Sequence, residues 1–201
     1  MNYSNLRYRK YQYSRQKLMS DMDEMQTIIN GINKEGPKFD GKPLYVESLE
    51  ILENKQHSQS YKNKQSLLQT HNEKLLYHGA PLNNIDNIIV NNFDIKRSFT
   101  GMGGHIGRGI YFSDMAEQSI YYCLKDEYIG TETDFIMLVC KVELGRCCEL
   151  IRNSTSMNCS KRDNYDSHST TYSQGNKHGH EYCIFDADQI YPMYKLHLRV
   201  Y

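Results

Sequence analysis

Tryptophan is absent, proline occurs only four times, and none of the 201 residues belongs to a long unbroken apolar run. A membrane-crossing helix needs ~20 predominantly apolar residues, so none is expected. The N-terminus also lacks the apolar core of a secretory signal. The expected setting is intracellular, cytoplasmic or nuclear. Net charge is missing too: 24 basic residues balance 24 acidic ones, which removes any whole-molecule electrostatic argument for a nucleic-acid binder. The six cysteines form no C-x-x-C pair and lie mostly in apolar runs, the habit of reduced thiols, so no disulfide is expected. His178, His180 and Cys183, with Cys159 upstream, offer a spacing that matches no common zinc pattern, and no metal is expected. No Gly-Lys-Ser/Thr occurs, which excludes a Walker loop. The glycine-rich stretch Gly101 to Gly107 is followed by a strand pattern rather than a helix, which excludes the dinucleotide-fold fingerprint. It reads instead as a flexible loop able to bring backbone close to a ligand. Tyrosine is abundant, with 17 residues, and is read as compositional bias.

What is present reads as one domain with a helical extension, the division falling between residues 1–39 and 40–201. Residues 1–17 carry Arg7, Arg9, Lys10, Arg15 and Lys17 among Tyr3, Tyr8, Tyr11 and Tyr13, with no acid. Such a basic aromatic arm can grip phosphates and stack bases, or can simply be a solvated chain end. Leu18, Met22, Met25, Ile29 and Ile32 step at the period of one helix face, closed by Gly31 and Gly36-Pro37. Pro43 to Glu53 reads as a strand and Asn54 to Gln65 as a polar stretch without chemistry. Lys74 to His78 is a short strand ending on Gly79, followed after Pro81 by a helix bearing Ile85, Ile88 and Ile89. Asp134 to Leu144, the most apolar run, belongs at a sheet centre. Ile151 to His180 is polar and too long to be idle, so it is expected to border a site. Glu181 to Phe185 is a strand, and Tyr194, Leu196, Leu198 and Val200 alternate as a half-buried last strand. Strands outnumber helices and lack regular helical crossovers, which predicts an α+β fold.

Chemistry concentrates between Gly107 and Cys123. Ile110, Tyr111 and Phe112 form a short strand, and Asp114 with Glu117 three residues on has the form of a capping box for the next helix. On that helix Ser119 and Tyr122 share a face, while Tyr111 sits just before the turn. Two phenols and a hydroxyl can thus approach one planar ligand; equally, both tyrosines can be half-buried packing residues.

Three fragments in order, LLYHGAPLNNIDNII, GRGIYFSDMAEQSIYYC and EYCIFDADQIYP, resemble the catalytic domain of the poly(ADP-ribose) polymerase family, over roughly residues 40 to 201. The resemblance implies a split, antiparallel or mixed β-sheet core with short helices, NAD+ as substrate, and a triad of His78, Tyr111 and Glu181. It further implies that Tyr111 and Tyr122 sandwich the nicotinamide, that Gly79 and Ser119 bond its carboxamide, and that His78 bonds the adenosine ribose. Glu181 would bond the nicotinamide ribose, stabilise the cation that develops as the glycosidic bond breaks, and polarise the acceptor. The implied activity is transfer of ADP-ribose to protein acceptors, the chain itself included. Because Glu181 is kept, elongation to poly(ADP-ribose) is compatible with the pattern. Ala80, Asn92 and Gly104 depart from the family's usual residues; Ala80, and Gly104 where a donor-loop aromatic often sits, motivate an alternative, a weakly catalytic module that binds NAD or ADP-ribose. The N-terminal arm motivates another, transfer to nucleic acid.

Overall fold

A computed structural model describes residues 23–32, 36, 38–39, 41–99, 105–123, 134–151, 160–174 and 177–200. The basic arm, Leu18 and Met22 of the N-terminal helix pattern, Gly101 to Gly104 and Cys159 therefore lie outside the described residues. Helix α1 spans residues 23–32. After it come β1 (Lys38–Phe39), β2 (Lys42–Ile51), α2 (Lys55–Leu67), β3 (Glu73–Gly79), α3 (Leu82–Asn91), β4 (Ile110–Ser113) and α4 (Ala116–Ile120). Five further strands follow, with a 3-10 turn (Ala187–Gln189) before the last: β5 (Asp134–Glu143), β6 (Cys147–Glu149), β7 (Ser167–Gln174), β8 (Lys177–Ile184) and β9 (Ile190–Val200). The described strands form one sheet in the order β1-β2-β9-β5-β3-β4-β8-β7-β6, antiparallel except for the parallel pair β6–β7. This is the expected α+β architecture with a mixed sheet.

Alternation along the strands builds two apolar layers. Tyr77, Phe135, Met137, Val139, Tyr194, Leu196 and Leu198 face one side, where α1 adds Ile28 and Ile32 and α4 adds Ala116 and Ile120. Leu76, Phe112, Leu138, Cys140, Val142 and Ile184 face the other, covered by Ile85 and Ile88 of α3. Each fully buried residue of this size contributes about 1.5–3 kcal/mol. The buried stripe of α1 runs through Ile28 and Ile32, with Ile29 only half-buried, and Gly31 lies inside the helix rather than ending it. The stop is Gly36, at φ +55°, whose N–H donates to the Ile32 carbonyl at 3.1 Å. In β9 the ladder to β5 steps from Tyr194 to Pro192, since proline has no N–H to offer. The displaced Met193 carbonyl accepts from Leu52 N–H at 2.7 Å.

Two stretches differ from the sequence expectation. Asn54 to Gln65, read from the sequence only as a polar stretch, belongs to α2 and its cap: the Asn54 side chain caps it by accepting from the Gln56 and His57 N–H groups, both at 3.1 Å. Its anchors are polar, Tyr61 Oη donating to Glu73 at 2.7 Å and Gln65 to the buried Glu143 at 2.9 Å, so no apolar stripe announces it. The polar run from Ile151 to His180 is, in its described part, largely the β7–β8 hairpin. Ser167, His168, Ser169 and Thr170 are buried there, in a pleated hairpin.

Candidate active site

The β3–β4 junction is where the sheet changes character. β3 pairs with β5 along its whole length, from Glu73 to Gly79, yet with β4 it keeps a single register pair, Tyr77 with Ser113. Beyond that pair the two strands part. The Tyr111 carbonyl instead accepts from Nδ1 of His78 at 2.8 Å. A carbonyl can only accept, so Nδ1 carries the proton and Nε2 presents a lone pair. The His78 ring sits edge-on to Phe93 at 4.9 Å and tilted against Phe112 at 5.3 Å. That apolar burial pushes its pKa down to about 4, against the smaller opposing effect of the bond to Tyr111. His78 is a neutral imidazole at physiological pH.

On the other side of β4 the ladder to β8 is complete. Tyr111 lies opposite Cys183 and Ser113 opposite Glu181, so Tyr111 and Glu181 lie on one pleat face, two residues apart along neighbouring strands. The Tyr111 hydroxyl accepts from Ile106 N–H at 3.0 Å and donates to the Gly107 carbonyl at 2.8 Å. Burial, with Cys183 nearby, raises its pKa well above that of a free phenol, so it remains a donor. Glu181 is 5% exposed, and its Oε1 accepts from Gln118 Nε2 of α4 at 3.0 Å. Gln118 was not foreseen; in so short a helix no periodicity singles it out.

Helix α4 comes close to β3 at Gly79, where an added Cβ would collide with the Ser119 carbonyl and crowd Cys123 Sγ. Only glycine permits that approach. Ser119 Oγ donates to the Tyr77 carbonyl at 3.1 Å, leaving oxygen lone pairs to accept. Tyr122 follows in a 3-10 turn, Tyr121–Cys123, and is 50% exposed. The predicted residues are thus contiguous: Gly79 and Ser119 pack together, Gln118 of the same helix holds Glu181, and His78 reaches Tyr111 through its backbone, from the face that carries Phe112. Tyr122, half-exposed, lies in the turn directly after that helix.

Comparison with known proteins adds to this geometry. The family model for the poly(ADP-ribose) polymerase catalytic domain matches residues 22–178. The chain belongs to this family. Among its relatives, poly [ADP-ribose] polymerase 2 of Zea mays is 29% identical over 147 residues, 72% of this chain and 22% of that protein. Poly [ADP-ribose] polymerase 1 of Caenorhabditis elegans is 27% identical over 149 residues, 73% of this chain and 15% of that protein. A protein mono-ADP-ribosyltransferase of Mus musculus is 34% identical over 92 residues, 43% of this chain and 4% of that protein. The chain therefore spans a small part of the curated relatives it matches. The match to the poly(ADP-ribose) polymerase catalytic domain ends at residue 178, so it takes in His78, Gly79, Tyr111, Ser119 and Tyr122 but not Glu181.

Within this poly(ADP-ribose) polymerase-family site, one reading of the sequence needs revision. Asp114 does not cap α4, which begins after Met115 without a side-chain cap. Its carboxylate accepts instead from His180 N–H at 2.8 Å and His180 Nδ1 at 2.9 Å. The stronger claim of a partner across the sheet overrides the local box, and Ser113 Oγ takes the Met115 N–H at 3.0 Å. The spacing His178, His180, Cys183 does not converge, because Cys183 is on the opposite pleat face from the two histidines and lies by Gly109. Among the described residues no group of three His, Cys, Asp or Glu side chains is placed to hold a metal ion. The five described cysteines are free thiols, and no described helix is long and apolar enough to cross a membrane.

Proposed function

We propose that this chain is an NAD+-dependent ADP-ribosyltransferase that passes ADP-ribose to protein acceptors, itself among them. The observation that carries the proposal is the placement of a deeply buried carboxylate, Glu181, on the same pleat face as Tyr111, in a family of ADP-ribose polymerases. The donor set fits the substrate: the Nε2 lone pair of His78 can accept from a ribose hydroxyl, Ser119 Oγ can accept from the carboxamide of nicotinamide, and the half-exposed Tyr122 offers a ring to stack on. NAD+ supplies the positively charged leaving group. The bond between the nicotinamide nitrogen and the ribose C1′ breaks, its electron pair departs with neutral nicotinamide, and positive charge develops on the sugar. The Glu181 carboxylate stabilises that charge and hydrogen-bonds the incoming nucleophile, whose lone pair closes the new bond to C1′ while its proton passes to solvent. Retention of Glu181 supports elongation of the chain beyond a first ADP-ribose, and the need for NAD+ supports an intracellular setting, cytoplasmic or nuclear.

Incubation of the full chain with tagged NAD+ tests this. The wild type should label itself and an added protein, and Glu181→Gln should lose about 10²–10³ in rate. Equal long-chain product from both proteins would remove Glu181 from its role. Calorimetric binding of a nicotinamide mimic without any turnover would convert the protein into a binding module. Label removed by nuclease and resistant to protease would move the acceptor to nucleic acid.

A further inference from the structure

His168 is fully buried, at 0% exposure, in a strand that contributes nothing to the triad. It lies in β7 opposite Cys148 of β6 and Cys183 of β8, its ring edge-on to Phe185 at 4.7 Å. Both of its nitrogens are engaged with backbone groups of fixed polarity. Nδ1 lies 2.7 Å from the Ile106 carbonyl, which can only accept. Nε2 takes the Arg162 N–H at 3.0 Å, which can only donate. The ring is therefore neutral and held in one tautomer, a state that burial also favours by pushing its pKa down, with Arg162 and Lys161 adding to the effect. Ile106 is itself fully buried, and its N–H is the one that donates to Tyr111 Oη, which in turn donates to Gly107. The imidazole thus bonds the carbonyl of the same residue whose N–H fixes the phenol.

We propose that His168 is a positioning residue for Tyr111, acting through the Ile106–Gly107 turn. Nδ1–H fixes the Ile106 carbonyl, the turn then presents one N–H and one carbonyl to the phenol, and Tyr111 is held where its ring meets the substrate. The inference rests on the reading of Tyr111 as a nicotinamide contact.

Two variants separate the two nitrogens. His168→Asn places an amide N–H near the Nδ1 position and should keep the bond to Ile106. His168→Gln places its amide near Nε2 and should lose it. Ring carbon signals of Tyr111, identified by their loss in Tyr111→Phe, should stay at the wild-type position in His168→Asn and move in His168→Gln. For turnover of NAD+, His168→Gln should lower kcat/KM by roughly 2–10-fold, the loss of one hydrogen bond. Added to Tyr111→Phe it should lower it no further, because the hydroxyl it positions is already gone. A Tyr111 signal unmoved in His168→Gln, displaced in His168→Asn, or losses that multiply in the double variant would each overturn the proposal. Should His168→Gln not fold, His168→Asn still decides by the Tyr111 signal. A wild type that never consumes NAD+ would defeat the enzymatic reading while leaving the Tyr111 signals to judge His168.

Discussion

Strand β5 and strand β4 sit in the same sheet under opposite rules. From Met137 to Val142, β5 is paired on both edges, to β3 and to β9, and its side chains feed both apolar layers. β4 is paired fully to β8 but only once to β3, and there a side chain, His78, takes over a carbonyl that the ladder leaves. A backbone ladder satisfies itself; a parted pair of strands must recruit a side chain, and the one recruited here, His78, is a candidate site residue. The densest pairing lies at β5 and β9, the candidate site at β3, β4 and β8.

That division can be broken by substitution. Phe135→Ala, which empties a buried position of β5, should cost about 3–5 kcal/mol in denaturant unfolding while leaving NAD+ turnover per folded molecule unchanged. A variant of normal stability, or one that folds and is catalytically dead, would erase the distinction. Gly79→Ala should do the reverse: a Cβ driven against the Ser119 carbonyl and Cys123 Sγ should cost about 1–3 kcal/mol and weaken nicotinamide binding, because α4 must move away from β3. Undiminished binding by calorimetry would show that the contact does not shape the site.

Acidification gives the gentlest test. His78 titrates near 6.5 in the unfolded chain and near about 4 when folded, so between those values the unfolded chain holds a proton that the folded one refuses. Stability should therefore be full above pH 6.5 and fall as pH drops toward 4, by at most about 1.4 kcal/mol per pH unit for this group. His57 and His168, each lowered chiefly by burial, act in the same direction. Thermal melts across that window should show the decline, and His78→Gln should flatten part of it. An identical slope in the variant would place the effect at the other two histidines.

Elements with an apolar rhythm were legible in the sequence: β5 from Asp134 onward, β9 from its alternating Tyr194, Leu196 and Leu198, α3 from Ile85 and Ile88. Elements built on polar contacts were not. Helix α2 buries His57 and Tyr61, and β7 buries serines, a histidine and a threonine, so neither displays the contrast on which pattern reading depends. At the site, the order of His78, Tyr111 and Glu181 was readable from family-like fragments. Gln118 and His168 were not, since each matters only through a partner distant in sequence, Glu181 for Gln118 and Ile106 for His168.

The sequence by itself determined the apolar strands, the α+β class and the identity of the candidate residues, because side-chain period and short motifs are local properties of the chain. The tertiary structure alone decided where the β3–β4 ladder stops, that Asp114 turns to His180 instead of capping α4, and that Gln118 meets Glu181. Those outcomes are competitions between partners distant in sequence, settled by which donor and acceptor the folded sheet brings within hydrogen-bonding distance.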